Sequence, residues 1–145
     1  MLVSENNYDK AVEIAAQTAN STTVGDPQGE YRIGPIANKA QYEKIIRMIE
    51  IGIEEGATLV AGGFEKPEGY DKGYYVKPTV FANVTSDMTI AKEEIFGPVL
   101  AILKYKSEDE AIEIANDTES MDWQDMFKVR QFMQMKLLEK LELDK

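Results

Sequence analysis

The sequence predicts an α/β fold: a mostly parallel sheet with flanking helices, followed by a C-terminal amphipathic helix. Three observations carry this. Stretches with apolar residues at helical spacing alternate with short β-branched or aromatic runs. Glycine and proline clusters fall between them, where the chain must turn. The run Pro98 to Tyr105 is apolar enough for a strand buried on both faces, as parallel sheets require.

Each element follows in order. Tyr8 to about Thr18 sets Tyr8, Val12, Ala15 and Ala16 on one helical face. The cluster Ser21 to Pro27 breaks that helix, and the loop runs on to Gly34-Pro35. A longer helix is expected from Asn38, an N-cap with Gln41 at the capping-box position. Tyr42, Ile45, Ile46, Ile49 and Ile53 form its apolar stripe, and Gly56 suits the left-handed residue that ends it. Thr58 to Ala61 reads as a short buried strand stopped by Gly62-Gly63. Tyr74 to Phe81 is strand-like, although Pro78 argues for an edge or a bulge. Thr85-Ser86-Asp87 is expected to cap a one- or two-turn helix through Glu93. Ser107 and Glu110 form a second capping box, opening a helix over Ala111, Ile112, Ile114 and Ala115.

Composition bounds the chemistry. At 145 residues the chain can close one hydrophobic core, and 43% hydrophobic with 29% charged residues is ordinary for a soluble domain. No run approaches the roughly 18 apolar residues of a membrane span. The start Met-Leu-Val-Ser-Glu has no signal-peptide character, so a cytoplasmic location is expected. There is no cysteine and no histidine. That removes the thiolate nucleophile, the sulfur and imidazole metal ligands, and the commonest general base near neutral pH. The net charge of −10 sits entirely in residues 1–120, because residues 121–145 hold five basic and five acidic side chains. Such an acidic body repels phosphate backbones and anionic lipid, so neither nucleic acid nor membrane is expected as a partner.

Several motifs carry a resemblance. They are Val24-Gly25-Asp26-Pro27, Ile33-Gly34-Pro35-Ile36, Gly56-Ala57-Thr58-Leu59-Val60-Ala61-Gly62-Gly63, Tyr75-Val76-Lys77-Pro78-Thr79-Val80, Glu93-Glu94-Ile95-Phe96-Gly97-Pro98-Val99 and Glu110 to Thr118. In this order and spacing, the chain from about Met1 to Thr118 resembles the later part of the aldehyde dehydrogenase catalytic domain. The Glu-x-Phe-Gly-Pro signature is the most specific of them. Residues 1–119 are therefore read as a catalytic-domain fragment and residues 120–145 as a tail without family character.

The resemblance implies a set of cofactor-binding residues for NAD or NADP. Glu94 matches the glutamate that holds the nicotinamide ribose, and Phe96 the phenylalanine that packs beside the nicotinamide. Gln41 and Lys44, three apart on one helix face, match positions that reach the coenzyme ribose and its neighbourhood. The residues themselves suit this: Pro98 cannot donate to a ladder and turns the chain sharply, presenting Phe96 at the strand's start. Plainer readings stand beside it. Glu94 is then a surface carboxylate, Phe96 a core aromatic, Gln41 a cap and Lys44 part of a solvated face.

The family reaction needs a cysteine thiolate to attack the aldehyde, with hydride passing to NAD(P) and a glutamate-activated water releasing the acid. The resemblance implies that the cysteine belongs just before the strand that Leu2-Val3 matches, and that the water-activating glutamate and the pyrophosphate-cradling turn lie further upstream. No catalytic residue and no metal ligand is assigned here. The tail places Trp123, Met126, Phe127, Met133, Leu137 and Leu141 at helical spacing. It reads as a helix covering apolar surface of the body, as a self-association helix, or as a groove-binding peptide. Three functions follow: an aldehyde dehydrogenase or one part of a split one that needs a companion chain, expected to be inactive alone without the nucleophile and base; a weak nucleotide-binding module; or a structural remnant forming a homo-oligomer without catalysis.

Overall fold

The computed structural model describes residues 1–117, so the tail helix expected over 120–145 lies outside the described residues. The described residues form five strands and four α-helices, in chain order β1 (Leu2–Ser4), α1 (Tyr8–Ser21), α2 (Lys39–Glu54), β2 (Thr58–Ala61), β3 (Thr79–Ala82), α3 (Thr89–Lys92), β4 (Val99–Ala101), β5 (Leu103–Tyr105) and α4 (Glu108–Asn116). A 3₁₀ turn, Glu5–Asn7, leads into α1. β1 pairs with β5 and β3 with β4 in parallel, while β2 runs antiparallel to β3. The strands form two small sheets, β1–β5 and β2–β3–β4, parallel except for the antiparallel edge β2, and the α/β expectation holds.

Helices cover both faces. Along each strand, successive side chains point to opposite sides. Val80 and Ile102 meet α1 through Tyr8 and Ala19, with Val12, Ala15 and Ala16 packed around them. Phe81 and Leu103 face the other way, into Ile45, Met48 and Ile49 of α2 and Ile90 of α3; Ile114 of α4 packs at the margin of this second cluster. The long helix ends as its sequence implies. Gly56 has φ +95°, its N–H donates to the Ile53 carbonyl at 3.1 Å, and that of Ala57 donates to the Gly52 carbonyl at 2.9 Å. This pair of bonds is the Schellman closure.

Four expectations are revised. The first helix runs a turn further, to Ser21, because the Thr18, Ser21 and Thr22 hydroxyls donate to carbonyls of the last turns. Residues 74–78 are not strand; β3 begins at Thr79, the first residue after Pro78 able to donate, and its N–H bonds the Pro98 carbonyl at 2.8 Å. The run Pro98 to Tyr105 splits at Ile102, where the ladder changes partner: Ile102 N–H donates to Phe81 and Leu103 N–H to Met1. Only Ile102 and Leu103 are buried, and Lys104 is exposed. Finally, α3 starts at Thr89 after Met88, not at the Thr85-Ser86-Asp87 cluster, because a distant carboxylate caps it (Glu55, below).

Candidate functional site

Between α3 and β4 the chain Glu93 to Gly97 has no regular secondary structure. Two consecutive tight bonds shape it, Gly97 N–H to the Ile95 carbonyl at 2.6 Å and Val99 N–H to the Gly97 carbonyl at 2.8 Å. Gly97 lies directly on α2: a Cβ there would meet the Ile45 Cδ1 at 2.5 Å. The outcome is a segment pressed against the helix with its flanking side chains turned outward. Phe96 is 70% exposed, and Glu94 is exposed as well. The core-aromatic reading of Phe96 therefore fails.

Helix α2 supplies the grip. Asn38 Oδ1 accepts from the Gln41 N–H at 2.9 Å, which sets the first turn as expected. The Gln41 side chain, however, does not fold back to complete a capping box. Its Nε2 donates to the Phe96 carbonyl at 2.7 Å. One turn on, Lys44 Nζ donates to the Glu94 carbonyl at 3.3 Å. All four residues singled out in the sequence thus meet at one place, two as outward-facing groups and two as holders of the backbone beneath them.

Beside them lies an open cleft of about 500 Å³, bounded by residues 35–37 of the loop before α2, by Gln41, and by residues 94–97. Sequence reasoning treated Gly34-Pro35 as punctuation and missed residues 35–37 as a wall. The bond from Ile36 N–H to the Tyr74 carbonyl at 2.8 Å, with Tyr42 and Tyr74 rings 5.7 Å apart, fixes that wall and has no local sequence signal.

An apolar-walled cleft with an exposed ring and an exposed carboxylate suits a flat heteroaromatic group joined to a hydroxyl-bearing sugar. It fits the nicotinamide-ribose end of a dinucleotide. The pyrophosphate end finds no match: among the described residues, no glycine-bearing turn leads from a strand into a helix N-terminus. A second, smaller cavity of about 300 Å³ near Asn20, Thr22, Glu68 and Lys77 is remote in sequence from these groups. Among the described residues no helix is long and apolar enough to cross a membrane.

The fold and the cleft together define an α/β segment with an open, apolar-walled cleft at the edge of α2. A sequence profile described as the aldehyde dehydrogenase family matches residues 1–128, so the chain belongs to that family. The chain is 47% identical over 121 residues to betaine aldehyde dehydrogenase of Brucella anthropi, covering 82% of this chain and 25% of the relative. It superposes on the crystal structure of aldehyde dehydrogenase from Bartonella henselae with a TM-score of 0.78 at 53% identity, covering 82% of this chain and 25% of that one. A second structure, a mutant of aldehyde dehydrogenase C from Pseudomonas syringae complexed with NAD+ and octanal, gives a TM-score of 0.79 at 51% identity, covering 81% and 24%. The chain therefore spans about a quarter of the length of the relatives it matches. The matched profile runs past Glu119, to Lys128.

Proposed function

We propose that this chain provides the nicotinamide-ribose edge of an NAD(P)-dependent aldehyde dehydrogenase site and does not itself oxidise aldehydes. One observation carries the reading. The Phe96 ring stands 70% exposed beside the cleft, on a segment whose carbonyl is held by Gln41. In this reading Phe96 packs on the flat ring and Glu94 accepts from ribose hydroxyls. Gln41 and Lys44 hold the main chain beneath them, with a remaining amide hydrogen and remaining ammonium hydrogens free to face the sugar. When bound, the coenzyme supplies the hydride acceptor for converting an aldehyde to a carboxylic acid.

The chain's own residues orient that acceptor and shield one side of it from water. They supply no thiol, because the 145 residues contain no cysteine. In the family reaction a thiolate attacks the aldehyde, and that thiolate has to come from outside these residues. Loss of one member of a nucleophilic constellation already costs several orders of magnitude in rate.

The test is titration of ¹⁵N-labelled chain with NAD+ and with NADP+. Half a dinucleotide site should bind at about millimolar strength, roughly −4 kcal/mol. Shifts are expected at Glu94, Phe96 and Gly97, with the sheet silent. No response at concentrations about tenfold above that constant would reject the reading.

A second reading, a structural remnant forming a homo-oligomer without catalysis, draws support from the sheet's end. β2 closes the β2–β3–β4 sheet on one side, and Leu59 on that strand and Phe64 just after it are exposed. Unpaired strand edges with apolar side chains invite pairing between copies. Light scattering decides it: a dimer or larger assembly supports this reading, and a strict monomer at high concentration refutes it.

A further inference from the structure

We infer that Glu55, at the far end of α2 from Gln41, is a positioning residue for the coenzyme edge, acting through Thr89. This inference rests on the reading of Glu94 and Phe96 as coenzyme contacts. Glu55 is the C-cap of α2, and its carboxylate grips Thr89 with both oxygens: Oε2 accepts from the Thr89 N–H at 2.7 Å and Oε1 from the Thr89 hydroxyl at 2.5 Å. Thr89 opens α3, a helix of only four residues whose N-cap, Met88, makes no side-chain capping bond. So short a helix cannot persist on its own hydrogen bonds. It exists because α2 holds it.

The hold has two parts. Ile90 is buried against Gly52, where a Cβ would lie 2.9 Å from the Ile90 Cδ1, so the two helices approach closely only because residue 52 has no side chain. The other part is the Glu55 carboxylate. α3 then ends with Glu93 N–H donating to the Thr89 carbonyl at 2.9 Å, and Glu94 follows immediately.

The exposed segment is thus suspended between two sets of fixings on one rigid helix. Upstream lies Glu55 on Thr89; downstream lie Lys44 on Glu94 and Gln41 on Phe96. Removing the upstream fixing leaves Glu93 to Gly97 held downstream by polar bonds and upstream by the apolar packing of Met88, Ile90 and Ala91. The geometry that presents the Phe96 ring and the Glu94 carboxylate together then broadens, while the sheet, which Glu55 does not touch through these bonds, keeps its packing.

The experiment compares the full chain with Glu55→Ala and Glu55→Gln, using amide hydrogen exchange and NAD+ titration read at Phe96. Glu55→Ala should speed exchange at Glu93 by about tenfold and weaken the Phe96 response to NAD+ by about threefold or more, leaving Phe81 and Ile49 protected. Glu55→Gln keeps a neutral acceptor for one of the two bonds and should restore part of both effects. Unchanged exchange at Glu93 together with an unchanged Phe96 response overturns the inference. So does loss of protection throughout the core in both variants, which would make Glu55 a general stabiliser. An unaltered chain silent to NAD+ defeats the coenzyme reading by itself, and the exchange comparison then decides the anchor separately.

Discussion

The seam at Ile102 and the rim that carries Phe96 lie at opposite ends of β4 and are built by different forces. At the seam, Phe81 and Ile102 are wholly buried, and the buried Tyr8 hydroxyl donates to the Ile102 carbonyl at 3.1 Å while accepting from the Asn83 N–H at 2.6 Å. At the rim, Phe96 is exposed and the backbone is held by side chains of α2. Burial fixes the first region, and directional hydrogen bonds fix the second. Substitutions at the seam should therefore cost stability, whereas those at the rim should cost placement and leave stability nearly untouched.

The largest effect is expected from Phe81→Ala, which opens a cavity beneath α2 and should destabilise by about 3–5 kcal/mol in urea denaturation. Tyr8→Phe removes a hydroxyl that serves one buried and one part-buried backbone group and should cost about 1–3 kcal/mol by the same measurement. Asn38→Ala stands between the regions. It removes the cap that seats Gln41, so about 1 kcal/mol of stability and part of the Phe96 response to NAD+ should be lost together. Phe96→Ala should change stability by no more than about 0.5 kcal/mol and abolish the ring-dependent shifts on NAD+ addition. A stability loss at Phe96 as large as at Phe81 would erase the distinction between seam and rim.

The smallest effect concerns pH. A hydrogen bond with the Thr85 side chain, helped by its own backbone N–H and by the charge of Lys92, holds the exposed Asp87 carboxyl below its ordinary 3.8. A carboxylate with a lowered folded-state value contributes stability above the unfolded value, and loses it as pH falls through the folded one. Asp87→Asn should therefore flatten stability against pH only below about pH 4, as urea melts in acid would record. At the alkaline end the sign reverses. Hydrogen bonding to Tyr70 raises Tyr31 above 10.0, so its contribution is present below that value and fades as pH climbs through the raised one.

The helical framework was more legible than the seam, because its signals are local and periodic. The apolar spacing of Ile45 and Ile49, Asn38 as a cap and Gly56 as a left-handed terminator all state their geometry within a few residues, whereas the run at Thr58, read as a buried strand, is an edge strand with Thr58 and Leu59 exposed. The rim was legible in part. Pro98 foretold that Phe96 would be presented outward, and the resemblance grouped it with Glu94, Gln41 and Lys44. What those groups bond to was not readable, since Gln41 reaches across 55 residues and Lys44 across 50 to carbonyls that carry no sequence signature. The same holds for Glu55, whose partner lies 34 residues on, and so α3 was placed at the local Thr85-Ser86-Asp87 cluster instead. The partner change at Ile102 escaped for a similar reason: an unbroken apolar run says nothing about which neighbour each residue pairs with.

The most direct test of the central claim, an edge for the coenzyme without the nucleophile, is a turnover assay on homogeneous chain with NAD+ or NADP+ and small aldehydes. Absorbance follows nicotinamide reduction, and mass spectrometry follows acyl adducts. The account predicts no reduction and an unmodified mass. Sustained reduction together with an acylated side chain on this polypeptide would contradict it.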